Sequence, residues 1–226
     1  SVSGADVSVS ASGDVGMSGK SVTVQSTSSD HSAGGDVLLS AASGTSGGRT
    51  DVTGGAGSSG SGGGVAITGG KSFDQFAGSS VTIDGGASTT SKGGAVSIKG
   101  GHSAEAEGGD IAMMSGSSGT DASGDFTIST AASEAGASSG KVTLNTGNAS
   151  GHSGDVAIST GDSAIGTGGS VSIKAGDSVR ESGGNIDLKA GTGATSGTIA
   201  ATGNSVDLIG TGNGVSVTAD KGDITM

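Results

Sequence analysis

Three histidines, His31, His102 and His152, are the side chains here best suited to ligating a metal or moving a proton. They fall 9, 6 and 10 residues after Val22, Val96 and Val142, which open their repeats, so no repetitive fold lines them up. The chain has no Cys, and a structural zinc site needs about four converging ligands, so these histidines read as solvated loop residues. Carboxylates are commoner: Asp6, Asp36, Asp51, Asp110, Asp125 and Asp155 each stand immediately before an apolar triplet. A Ca²⁺ ladder on a G-G-x-G-x-D repeat is one reading of that column. No unit has this spacing, and Lys141, Ser170, Asn185 and Thr198 interrupt it. The other reading, turn residues that bond nearby backbone N–H groups, is the one expected, with no cofactor. Serines are plentiful, but no G-x-S-x-G elbow presents one as a nucleophile. Arginine occurs only at positions 49 and 180, and no Tyr or Trp is available to stack on a sugar. The residues therefore argue against an enzyme. Asn148-Ala149-Ser150 is an acceptor tripeptide for N-glycosylation, meaningful in a secreted eukaryotic protein.

Whatever positions these residues is unusual. Of 226 residues 50 are Gly, aromatic residues make up 1%, and Pro is absent. Ordering a backbone costs about 1–2 kcal/mol per residue, which is ordinarily offset by large buried side chains. This chain has few of them, so it is either disordered or held by a repetitive backbone ladder. Its net charge of −11 argues against nucleic acid as a partner. No apolar run has the length of a membrane span. The first residues, "SVSGADVSVS", carry neither Met nor a leader pattern, which suggests a processed product or a segment of something longer.

Periodicity decides against disorder. Apolar-x-apolar triplets open at Val7, Val22, Val37, Val52, Val65, Val81, Val96, Ile111, Phe126, Val142, Val156, Val171, Ile186 and Ile199, at spacings of 13 to 16 residues and most often 15. Val52 is weak, because "DVTGGAG" lacks the second apolar residue. Alternation within a triplet is the period of a strand. The flanking pairs, such as Gly93-Gly94 and Gly108-Gly109, suggest sharp turns. The expected fold is all-β: a parallel, two-sided β-solenoid (β-helix) of about fourteen 15-residue coils. At ~4.8 Å per strand that makes a rod roughly 65 Å long. Residues 1–226 form one repeat solenoid in this reading. The terminal coils, 1–24 and 199–226, carry apolar residues on both walls, Val15/Met17 and Val206/Leu208. In the middle coils the second wall holds small residues, with Val179 partly filling it, and Ser recurs at Ser29, Ser72, Ser88, Ser103, Ser118, Ser133, Ser163 and Ser178. A 30-residue coil with two facing Val-x-Ile strands is the alternative.

The middle residue of each triplet points outward in this fold. That column is nearly all small, and Thr23, Thr82, Ser97, Thr127, Thr143 and Ser172 are its candidate assembly or surface face. The unit "GG-x-V-x-I-x-x-G-x-S" resembles the Gly/Ser/Thr-rich tandem repeats of surface and fibre proteins of protists, algae and bacteria. It is also similar in coil length to β-helical antifreeze proteins. It departs from them in lacking sustained Thr-x-Thr pairs and disulfides, and in placing Lys99, Lys174 and Lys189 beside the column. The resemblance implies a structural protein outside the cell or on its surface.

Bare strand-like ends invite head-to-tail contacts, and a non-closing contact builds fibres. The expected function is thus the protomer of an extracellular or surface fibre, its partner another copy of itself, joined end to end through open solenoid edges. An ice- or surface-binding solenoid using the Ser/Thr/Ala face, and a spacer or adhesin stalk within a longer chain, are the alternatives.

Overall fold

The computed structural model describes residues 7–27, 33–73, 75–134, 137–195, 197–210 and 214–218. Among them there is no helix and no β-strand, which overturns the all-β parallel solenoid. The chain divides into unit 1, Ser1–Met113, and unit 2, Met114–Met226. In both, nearly all close approaches join residues fewer than twelve apart, so a repeat closes on itself rather than stacking on the next.

The accessible surface is 22440 Å². A folded chain of this mass exposes about 9,000 Å² and an extended one about 30,000 Å². No described side chain is buried. The physical reason lies in the composition. Two medium apolar residues per repeat hide too little surface to hold fifteen residues in a coil against their ordering entropy. Backbone pairing between repeats must then carry the whole stack, and the chain pairs within repeats instead.

That internal pairing is regular. Counting the first apolar residue of a triplet as position 0, in many repeats, though not those opening at Phe126, Val142 and Val156, the carbonyl at position +5 accepts a bond from the amide two residues before the next triplet. Gly94 donates to Gly86 at 2.8 Å, and Gly109 to Gly101, Gly124 to Gly116 and Gly184 to Gly176 at 2.9 Å. Ser79 donates to Gly70 in the same way, and Gly35, more weakly, to Thr27. Gly48 bonds Ala42 and, in the short repeat from Ile186, Gly197 bonds Gly191, each over six residues, while Gly63 donates to Gly55, three residues after Val52, at 2.8 Å. Each bond closes the neck of a small Ω-shaped loop, whose ends lie together while its residues face water.

The glycine pairs make these necks possible, but not by turning. Among the described glycines the positive φ belongs to Gly214 at 83°, outside the pairs. Their role is close approach: a Cβ on Gly85 would land on the Gly94 carbonyl oxygen, and one on Gly100 on that of Gly109. Position +4 is kept small for the same reason. The Ala175 methyl group lies 3.3 Å from where a Gly184 Cβ would be, and the Ser26 Cβ 3.2 Å from that of Gly35.

The recurrent serines also acquire a different role. They do not line an inner wall; five of them, each at position +7, tighten their loops. Ser88 Oγ accepts the Ser91 amide at 3.0 Å, Ser103 that of Ala106 at 3.0 Å, and Ser118 that of Asp121 at 3.0 Å. Ser163 and Ser178 accept those of Gly166 and Glu181 at 2.9 Å. These are hydroxyl turns, the local alternative to regular structure that Ser favours. Ser29 lies outside the described residues. A net hydrogen bond contributes about 1 kcal/mol. Ser103→Ala is therefore expected to speed hydrogen exchange at the Ala106 amide by up to about fivefold and to leave Ser91, in the preceding loop, unchanged.

Val179, expected to fill a wall, is fully exposed, as is Ile165. Val15/Met17 and Val206/Leu208 are likewise open to solvent and line no coil interior. Residues 1–6, 211–213 and 219–226 of the two terminal coils lie outside the described residues.

Candidate functional site: the exposed triplets

The triplets share one pattern of exposure. The first member is about half covered and the third less so: Val81 is 50% and Ile83 66% exposed, Val171 54% and Ile173 68%. Alternation places both apolar side chains of a triplet on the same side. Each repeat therefore presents a short apolar strip between two loops, with its middle residue on the other side.

The candidate face residues Thr23, Thr82, Ser97, Thr127, Thr143 and Ser172 each occupy the middle of their own triplet and are exposed. No strand among the described residues joins them into a sheet face. Asn148 is exposed beside the bend at Ser150-Gly151, accessible to a modifying enzyme. His102 and His152 are exposed in separate repeats, and His31 lies outside the described residues.

Of the Asp column, Asp6 lies outside the described residues. Asp51 takes an ion pair from Arg49 two residues earlier. Asp36, Asp110, Asp125 and Asp155 are exposed. No group of three His, Cys, Asp or Glu that could hold a metal occurs among the described residues, and none of these encloses a pocket. Other polar contacts stay inside a loop. Lys174 Nζ lies 2.8 Å from Asp177 Oδ2, and Lys71 Nζ 4.9 Å from the centre of the Phe73 ring.

The feature that sequence reasoning missed is the neck, formed by the carbonyl at +5 and the amide two residues before the next triplet. Its signal was present in the spacing of glycine pairs, Gly85-Gly86 with Gly93-Gly94 and Gly100-Gly101 with Gly108-Gly109. No family model, curated protein or solved structure matches the chain.

Proposed function

We propose that the chain is a structural protein of the cell surface or extracellular space that builds fibres from copies of itself. The observation that carries this reading is the row of apolar strips, repeated at near-constant spacing and left half to three-quarters exposed along the chain. Repeated exposed apolar surface marks an interaction site. Completing the burial of one Val or Ile contributes about 1 kcal/mol, and most repeats offer two such apolar side chains. The neck bonds alone do not offset the ordering of their loops, so association supplies stability that one copy lacks. Short apolar β-branched segments without Pro suit pairing between chains. Copies joined this way replace the solenoid edges first expected to carry assembly. We read the chain as non-enzymatic and without a cofactor.

The spacer reading has one supporting observation, the closure of many repeats within themselves, which leaves a string of loops that functions at any length. A flat ice-binding face requires a sheet, and the described residues supply no support for it.

Sedimentation velocity and electron microscopy over a range of concentrations separate assembly from spacing. Growth into filaments above a threshold concentration is expected; a monomer at every concentration overturns the fibre reading. Salt should lower the threshold. Copies carrying −11 repel one another, and raising ionic strength from 0.1 to 1 M shortens the screening length from about 10 to 3 Å.

A further inference from the structure

We propose that the neck-closed repeats store chain length that load draws out and release returns, so that the chain serves as an extensible tether. This goes beyond the self-association reading and concerns a single copy.

The necks lie in series along the backbone. A pull travelling along the chain enters one loop at the carbonyl of Gly86 and leaves it at the amide of Gly94, which bond at 2.8 Å. The residues between carry none of the pull while that bond holds. Gly101 with Gly109, Gly116 with Gly124 and Gly176 with Gly184 close their loops in the same way at 2.9 Å. Each of these bonds spans eight residues, which reach at most about 28 Å when extended. Opening one neck therefore frees on the order of 20 Å of chain.

Low resistance follows from what holds a loop shut. One backbone bond closes the neck, and a hydroxyl turn tightens it, as Ser88 does with Ser91 and Ser103 with Ala106. No described side chain is buried, so opening breaks no core and closing waits for no repacking. The chain has no Pro, which removes the slow isomerisation step. A loop of about ten residues closes in roughly 10–100 ns, far faster than any ordinary pull. Extension is thus reversible.

The chain carries its own comparison. In the repeats opening at Phe126 and Val142, no neck bond joins Ala131 to Gly140 or Gly147 to Gly154 among the described residues. Those repeats store no length by this device.

The chain has no native Cys, so introduced pairs can take handles in the full-length protein. Thr82→Cys with Ala112→Cys encloses two necks, and Thr127→Cys with Ala157→Cys encloses the two repeats without them; each pair spans thirty residues. All four positions are exposed. One tethered copy of each variant is stretched and relaxed in optical tweezers. With the residues inside two necks hidden, the 82–112 span should be shorter than the 127–157 span at low load, by roughly a quarter. The two curves should merge as load rises, and stretching and relaxing traces should superpose. Adding Gly85→Ala and Gly100→Ala, whose Cβ atoms would land on neck carbonyl oxygens, should abolish the shortening. Equal spans at every load overturn the proposal. So does a short span that persists where the 127–157 span is fully extended, because the loops are then locked. Relaxation that lags stretching by seconds overturns reversible storage, and shortening that survives both alanines overturns the necks as its cause. A single tethered copy has no partner, so failure here leaves the fibre reading standing, and a monomer in sedimentation leaves this one standing.

Discussion

Replacing Ile83, Ile98 and Ile128 together by Asp is expected to abolish filaments and leave a monomer in sedimentation velocity. Each isoleucine is the more exposed member of its strip, with about two-thirds of its surface open in the single chain. The substitutions therefore remove little that one copy needs. Between copies the effect is large. A carboxylate placed among apolar side chains must be desolvated without a partner, at several kcal/mol per group, and inward-pointing charge is how natural strand edges block pairing. The loops of the variant should persist, so its Gly94 and Gly109 amides keep their protection from hydrogen exchange. Filaments of normal abundance would show that the strips do not carry assembly. Loss of amide protection together with loss of filaments would show that they support the single chain instead.

The second large effect concerns two adjacent glycines that differ sharply in the structure. Gly100→Ala is expected to open its loop, whereas Gly101→Ala is not. A Cβ on Gly100 would coincide with the carbonyl oxygen of Gly109, a backbone atom that cannot rotate away, while a Cβ on Gly101 meets nothing within 4 Å. The bond from Gly109 to Gly101, 2.9 Å long, closes this neck. The Gly109 amide should exchange about as fast as an unprotected one in Gly100→Ala and at the native rate in Gly101→Ala. Opening one neck also lengthens one repeat and shifts all later strips against a partner, so Gly100→Ala should raise the filament threshold as well. Equal behaviour of the two variants would remove the close-approach account of the glycine pairs.

Residue spacing alone made several features legible. The triplets, their alternation and their period stand out because Val, Ile and Leu are rare enough here to be seen as markers. The Ser column is visible for the same reason, though its spacing alone does not tell a wall from a turn. A hydroxyl turning back to an amide three residues on, as Ser103 does with Ala106, is local and could have been anticipated. Glycine pairs suggest turns, the commonest use of Gly. Nothing in a pair such as Gly93-Gly94 distinguishes a left-handed residue from one lacking room for a Cβ. That distinction depends on which backbone lies opposite, here Gly85 and Gly86.

Stacking was the inference that periodicity could not support by itself. A repeat of about fifteen residues makes all repeats alike, and so guarantees that whatever one does the others do too. It leaves open whether the carbonyl at +5 bonds within its own repeat or reaches the next. Those alternatives use the same groups and differ only in loop closure and in how much apolar surface a stacked coil hides. Two medium side chains per repeat hide too little, and Gly101 takes its bond from Gly109 across eight residues. Composition, period and charge placement are thus written in the chain. The turn inward of each repeat emerges only where two arms of backbone meet, and it leaves the Val-x-Ile strips facing outward.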